Sequence, residues 1–172
     1  MDVGACGPAQ KLIPVVARGR RLVVDLHCHI GSPAAEAIVR DSGARPAPGS
    51  MPVTGEATRE VNRRQFIDVA ERLNGVQQRL ADMDRLGVDV QAMSPSPGQY
   101  YYFTPPEVGR AAARAINERI AEAVAAHPDR LVGLGTVPLQ APEFAVAELR
   151  RCVRELDLRG VEICTNVNGK DL

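Results

Sequence analysis

Short apolar segments alternate with helical segments along most of this chain. Four segments have the length and composition of buried strands, at about 22–28, 88–93, 131–137 and 160–165. The intervening segments carry apolar residues at helical spacing. One of them ends at Gly87, and another begins at Thr104-Pro105-Pro106-Glu107 with threonine as the expected N-cap. This order predicts successive βαβ units and therefore an α/β fold with a parallel sheet.

The first predicted strand ends in two histidines, His27 and His29. Side chains at positions i and i+2 of a strand point to the same face, so both imidazoles are expected to converge at the strand's carboxyl end. Parallel α/β folds concentrate their functional groups at that end. The same alternation places Asp25 on the histidine face, where its carboxylate is expected to accept a ring N–H. Cys28 faces the other way and is expected to pack as a small hydrophobe.

The histidine pair has a structural and a functional interpretation. A single histidine in an apolar segment is usually satisfied by a backbone carbonyl. Two histidines at strand spacing would leave several ring donors and acceptors without partners, at a cost of about 1–3 kcal/mol each. The pattern therefore favours a metal site. His127 precedes Pro128 at a predicted helix end, where it is expected to cap terminal carbonyls.

Length and composition exclude several classes of protein. The chain has 172 residues, enough for one domain with a core but fewer than the ~250 of a closed eight-unit barrel. The formal net charge is zero and tryptophan is absent, which disfavours a nucleic-acid surface. No apolar segment approaches the ~20 residues that span a bilayer. The four cysteines show no paired spacing, which predicts free thiols and a cytoplasmic protein.

The domain organisation follows from the segments that lack the alternating strand and helix pattern. Residues 1–20 are predicted to form a flexible tail, and residues 21–172 one domain. Residues 31–64 are rich in glycine and proline and are predicted to be a long insertion, either functional or disordered. In barrel order the first and fourth strands would both be edges, and unprotected edges are association sites. We therefore expect a homo-oligomer, with a small molecule as its other partner.

Three stretches of the sequence carry a resemblance to a known family. The first, 24–30, contains both histidines; the second is 79–94; the third runs through 128–143 and continues into 160–169. They resemble the amidohydrolase superfamily, and within it the decarboxylases similar to aminocarboxymuconate-semialdehyde decarboxylase. Together they are spread along most of the length of residues 22–172.

The resemblance implies the N-terminal half of a metal-dependent (β/α)8 TIM barrel. His27 and His29 would bind Zn2+, or another divalent ion such as Mn2+, with Asp25 supporting them. The implied reaction is loss of carboxylate from an unsaturated acid such as aminocarboxymuconate semialdehyde. The family's third metal histidine, acid/base histidine and late aspartate have no counterpart, so we expect a truncated form of a longer decarboxylase. A hydrolase on the same scaffold and a non-catalytic oligomeric half barrel remain alternatives.

The resemblance also suggests where a substrate would bind. The similar decarboxylases carry an arginine for the substrate carboxylate in the region that corresponds to the insertion. Arg59, Arg63 and Arg64 lie there, and a guanidinium suits a carboxylate. A cluster of arginines before a helix is also typical of a solvated surface, and that alternative stays open.

Overall fold

The computed structural model of the protein describes residues 21–47 and 55–172. The predicted tail at 1–20, and residues 48–54 of the predicted insertion, lie outside these ranges. In chain order the elements are strand β1 (Val24–Ile30), helices α1 (Pro33–Asp41), α2 (Glu56–Asn74) and α3 (Val76–Leu86), strand β2 (Val90–Pro95), helix α4 (Pro106–Ala126), strand β3 (Leu131–Gly135), helix α5 (Pro142–Arg154), and strands β4 (Gly160–Val161), β5 (Asn166–Val167) and β6 (Lys170–Asp171). A short 3₁₀ turn at Pro97–Gln99 follows β2.

The main sheet has four parallel strands in the order β1-β2-β3-β4. This order follows the chain, as in the first four strands of a (β/α)8 barrel, and confirms the predicted α/β class. Because parallel crossovers are right-handed, the connecting helices all lie on one face of the sheet. The opposite face of the sheet carries the two histidine side chains described below. None of the helices in the described ranges is both long and apolar enough to cross a membrane.

The core lies between the sheet and its helices. Its fully buried side chains include Met93, Leu131 and Leu158 from the sheet side, and Ile116 and Ile120 from α4. Each such side chain contributes about 1.5–3 kcal/mol through burial. Cys28 is buried in the same cluster, which confirms that it packs as a small hydrophobe.

The predicted insertion contains helices that its composition does not suggest. In α1, Pro33 occupies the first turn and the Ser32 hydroxyl accepts a hydrogen bond from the Ala35 amide. Ala35 and Val39 are buried, and α1 packs against α4. Helix α2 begins at Glu56, still inside the predicted insertion. Residues 33–41 and 56–64 of the insertion are therefore helical, because its glycines and prolines lie before, between or in the first turn of these helices rather than in their interiors.

Two predicted helix boundaries have different outcomes. Gly87 ends α3 with φ 70°, a left-handed conformation that suits glycine, as expected. The predicted cap of α4 is wrong. Pro105 occupies the N-cap position without a side-chain cap, and the Thr104 hydroxyl donates instead to the Tyr101 carbonyl at 2.8 Å. The Thr104 hydroxyl is thus hydrogen-bonded within the preceding turn and does not cap the helix.

Candidate metal centre

His27 and His29 converge at the carboxyl end of β1. Their Nε2 atoms are 3.2 Å apart, and the ring centroids are 4.9 Å apart at an interplanar angle of 80°. His27 is exposed and His29 is half-buried. The predicted convergence of the two side chains is therefore confirmed.

The separation of the two nitrogens suits one shared ion. Zinc binds histidine nitrogen at about 2.0–2.1 Å, and two such bonds at a tetrahedral angle place the nitrogens about 3.3 Å apart. The observed 3.2 Å matches that spacing. A hydrogen bond between the rings fits the same distance, but it needs a proton on one Nε2, which an arriving cation would replace. The pair fits a divalent metal as two ligands.

The other nitrogen of His29 fixes its protonation form. Nδ1 lies 2.9 Å from the Pro95 carbonyl oxygen and 2.9 Å from the Ser94 hydroxyl oxygen. A carbonyl only accepts hydrogen bonds, so Nδ1 carries the proton and Nε2 keeps its lone pair. Metal-ligating histidines are typically held in this way, with the second nitrogen donating to a carbonyl or carboxylate. Sequence reasoning did not identify Ser94 or Pro95.

Asp25 supports His27 through the backbone rather than through a ring. Its Oδ1 accepts the His27 amide at 3.0 Å, and its Oδ2 accepts the Gln91 side-chain amide at 2.9 Å. The expected ring contact is wrong because the β1–β2 register shifts between Asp25 and Cys28. One extra residue on β1 changes the alternation, so Asp25 falls on the same face as Gln91.

Arg79 of α3 hydrogen-bonds to the carboxyl end of β1, the strand that carries the two histidines. Its buried guanidinium donates to the His29 carbonyl at 2.6 Å and to the Gln91 side-chain oxygen at 3.1 Å. Hydrogen bonds from a charged donor contribute about 1.5–3 kcal/mol. The backbone that carries His29 is thus held from the helix side of the sheet.

The three predicted substrate arginines lie on α2, away from the histidines. Arg63 and Arg64 both donate to Glu60, at 2.8 and 2.6 Å, and all three arginines are exposed. Helix α2 meets the end of β1 through its own last turn, where the Gly31 amide donates to the Leu73 carbonyl. Arg59 and Arg64 precede Leu73 by about 21 and 14 Å along the helix axis. A substrate role for these arginines stays a prediction.

Glu162 and Tyr100 lie at the carboxyl end of the sheet, the same end as the histidine pair. Sequence reasoning did not select Glu162. Its amide donates to the Gly135 carbonyl at 2.8 Å, which continues the path of β4 beside β3. The Tyr100 hydroxyl donates to Glu162 Oε1 at 2.7 Å. The available signal was a charged residue within the otherwise apolar segment 160–165.

Electrostatics keep Glu162 ionised. Partial burial raises its pKa, but the nearby Ser94 hydroxyl, the hydrogen bond from Tyr100 and the charges of His29 and His27 bring the pKa below its usual value. Burial, followed by the bond to Glu162, raises the pKa of Tyr100, so the phenol keeps its proton and donates. A carboxylate with a fixed charge therefore lies within electrostatic reach of the histidine pair.

His127 lies at the opposite end of the sheet, just before β3 begins. Its backbone amide donates to the Val124 carbonyl at the end of α4, so the backbone rather than the ring caps this helix. The ring Nε2 lies 3.4 Å from the Gln77 side-chain nitrogen. Within 21–47 and 55–172, no group of three or more His, Cys, Asp or Glu side chains could hold a metal ion. The two histidines thus form a half-site.

These features define a class: parallel α/β proteins that present two imidazoles at the carboxyl end of the first strand. The amidohydrolase family model matches residues 24–172, which include the four strands and both histidines. The chain belongs to the amidohydrolase family, and the resemblance expected from the sequence is confirmed.

Several relatives of this chain are decarboxylases by name. The 2-amino-3-carboxymuconate-6-semialdehyde decarboxylase of Dictyostelium discoideum is 40% identical over 94 residues, which cover 55% of this chain and 26% of the relative. The structure of 5-carboxyvanillate decarboxylase from Sphingomonas paucimobilis matches with a TM-score of 0.67 and 28% identity, over 86% of this chain and 44% of that one.

A third similar protein contains a metal. The dihydroxybenzoic acid decarboxylase of a Polaromonas species, with bound manganese and the inhibitor 2-nitroresorcinol, matches with a TM-score of 0.62 and 25% identity, over 83% of this chain and 38% of that one. The chain spans about a quarter of the length of the curated relatives and less than half of the solved structures.

Proposed function

We propose that this chain carries part of the divalent-metal site of a decarboxylase that acts on an aromatic or unsaturated carboxylic acid. The observation that carries the proposal is the 3.2 Å separation of the His27 and His29 Nε2 atoms. The names of the relatives support the reaction type, and the manganese in the Polaromonas enzyme supports a divalent ion. Aminocarboxymuconate semialdehyde is the substrate we favour, because it is the substrate in the name of the Dictyostelium relative.

The residues of this chain would bind and orient. His27 and His29 would hold the ion through Nε2, while Pro95 and Ser94 keep the His29 proton on Nδ1. Arg79 and Asp25 hold the backbone that carries the two rings. The ion would supply the positive charge that binds and orients a substrate carboxylate. We favour Zn2+ because imidazole ligands bind zinc more tightly than manganese.

Decarboxylation also needs a proton source, since the carbon that loses CO2 takes up a proton. His127 is unsuited to this task because it lies at the amino-terminal end of the strands, away from the histidine pair. Catalytic zinc usually has three protein ligands and an open position. We propose that the remaining ligands and the proton donor lie in regions equivalent to those parts of the relatives that this chain does not match.

A complementation assay tests this proposal. The chain would be joined to the C-terminal region of the Dictyostelium decarboxylase, loaded with zinc, and supplied with aminocarboxymuconate semialdehyde. We expect loss of substrate absorbance and release of CO2 from the joined protein, but no turnover by the chain alone. The His27→Ala, His29→Ala double variant of the joined protein is the control, and its activity should fall to background.

Two results would contradict the proposal. Equal turnover by the double variant would show that the histidine pair is not the metal site. Hydrolysis of an amide or ester by the joined protein, without CO2 release from any of the carboxylic acids named by the relatives, would favour the hydrolase alternative.

A further inference from the structure

Gln91 of β2 lies at the centre of a hydrogen-bonded chain beside the histidine strand. It pairs with Asp25 in the β1–β2 register, so the two side chains point to the same face of the sheet. The Gln91 Nε2 donates to Asp25 Oδ2 at 2.9 Å, and the Gln91 Oε1 accepts from Arg79 Nη1 at 3.1 Å. Gln91 thus connects a carboxylate on β1 to a buried guanidinium on α3.

The two partners of Gln91 each hold the backbone of one histidine. Asp25 Oδ1 accepts the His27 amide at 3.0 Å, and Arg79 Nη2 donates to the His29 carbonyl oxygen at 2.6 Å. A continuous chain of four hydrogen bonds therefore runs from the His27 amide to the His29 carbonyl, with Gln91 as its middle member.

The middle of this chain needs a side chain that donates and accepts at once. Towards Asp25 it must donate, because an ionised carboxylate only accepts hydrogen bonds. Towards Arg79 it must accept, because a guanidinium only donates. Glutamine does both from two separate atoms, whereas a carboxylate in its place would lack the donor and an ammonium group would lack the acceptor.

The chain of hydrogen bonds spans the irregular part of β1. The β1–β2 register shifts between Asp25 and Cys28, and His27 lies inside that shift. Bulges next to functional sites typically re-aim a side chain. In a regular strand the Cα atoms of residues i and i+2 are about 6.6 Å apart. The Nε2 atoms of His27 and His29 are only 3.2 Å apart, so the two rings must turn towards each other.

We propose that Gln91 is a positioning residue for the histidine pair: by joining Asp25 to Arg79 it fixes the bulged segment of β1 and so sets the spacing of the two Nε2 atoms that would bind a divalent ion. The inference rests on the proposed metal site and names a residue that shapes it. Because Arg79 approaches from the helix side of the sheet, Gln91 acts through the backbone of β1 and is not assigned as a ligand.

Calorimetric titration of the full chain with Zn2+ tests this role. Gln91→Met keeps the length of the side chain and removes both hydrogen-bonding groups. We expect its zinc dissociation constant to rise about 10-fold, the lower end of the effect of residues that support metal ligands. Gln65→Met on α2 is the matched control, because it removes an exposed amide and should leave the affinity unchanged. Melting temperatures establish that each variant is folded.

X-ray absorption at the zinc edge separates a positioning role from a purely structural one. The parent chain should bind the ion through two imidazole nitrogens, whereas in Gln91→Met a water oxygen should replace one of them. A lower melting temperature with unchanged affinity and an unchanged zinc spectrum would show that Gln91 only stabilises the sheet, and would overturn the proposal.

Asp25→Asn breaks the same chain at its neighbouring member, and keeps the test decisive if Gln91→Met does not fold. The new amide can still accept the His27 amide, but it presents an NH2 group to the NH2 group of Gln91. We expect weaker zinc binding in this variant too, and parent-like affinity in the folded variant would overturn the proposal. Because both substitutions break one chain, the Asp25→Asn, Gln91→Met double variant should bind zinc no more weakly than the weaker-binding single variant. Fully additive losses would overturn the connection through Asp25.

The histidine variant separates this proposal from the metal site itself. Parent-like affinity in Gln91→Met, with binding abolished in the His27→Ala, His29→Ala variant, would overturn the role of Gln91 and leave the metal site standing. Zinc binding that is unaffected by the loss of both histidines would overturn both proposals.

Discussion

Cys28 lies between the two histidines in the sequence, yet its thiol belongs to the core. Its Sγ donates to the Ala92 carbonyl at 3.3 Å. Burial raises its pKa to about 11, although the nearby Arg79 charge opposes this shift. Burial also raises the pKa of Cys152, to about 12, whereas Cys164 is only half-buried.

These differences predict selective alkylation. At about pH 8 only about one Cys28 thiol in a thousand is ionised, and the thiolate is the reactive form. Iodoacetamide should therefore label Cys164 before Cys28 and Cys152 in the native protein. Labelling of Cys28 should begin only as the pH approaches 11 or after unfolding in urea. Peptide mass spectrometry measures this order, and equal native rates for Cys28 and Cys164 would contradict the packing.

Individual residues differ in how well the sequence predicts them. His27 and His29 were predictable because the alternation of a strand is local. Asp25 was not, because the extra residue in β1 becomes visible only when the strand pairs with β2. Ser94 reaches His29 through the pairing of β1 with β2, and no local pattern encodes that register.

At the scale of elements, one buried side chain joins α4, β3 and α5. The Asn117 amide nitrogen donates to the Thr136 carbonyl at 2.8 Å and to Glu148 at 2.9 Å, and its oxygen accepts the Thr136 amide at 2.7 Å. Asn117 is fully buried, so each of these bonds replaces one that water would otherwise make.

Asn117→Asp should therefore be strongly destabilising. The substitution replaces a donor with a carboxylate that faces both Glu148 and a carbonyl oxygen. We expect the free energy of unfolding to fall by about 3–5 kcal/mol, as measured by urea denaturation. Asn62→Asp on the exposed face of α2 is the control and should change it by less than about 0.5 kcal/mol. Equal midpoints for the two variants would contradict the Asn117 contacts.

Helices α3, α4 and α5 were predictable from their apolar spacing, whereas α1 was not. Its nine residues lie between glycine- and proline-rich segments, and its burial depends on contact with α4. Packing against a distant helix stabilises a short helix that its composition alone does not specify.

At the scale of the whole molecule, β1 and β4 are the outer strands of the main sheet in the described ranges. Leu26 on β1 is 75% exposed, and Val23 and Val24 beside it are also exposed. Unpaired strand edges with apolar side chains favour association with another chain.

We therefore expect the chain to self-associate at micromolar concentration. Leu26→Lys should shift it towards the monomer, because a charged side chain at a strand edge opposes pairing. Light scattering after size-exclusion chromatography measures the molar mass. Leu86→Lys, which changes an exposed leucine at the end of α3, is the control and should leave association unchanged. A stable monomer at all concentrations would contradict this expectation.

The fold class was the most predictable property of the whole chain, because the alternation of strands and helices leaves few arrangements. The complete site was less predictable, since a half-site of two histidines does not by itself specify what completes it.

X-ray absorption at the zinc edge tests the central claim most directly, that His27 and His29 together bind one divalent ion. For the zinc-loaded chain we expect a first shell with two imidazole nitrogens at about 2.0–2.1 Å and the outer-shell scattering of histidine rings. Both features should disappear in the His27→Ala, His29→Ala variant. A shell that contains only oxygen, or histidine scattering that persists in the double variant, would contradict the claim.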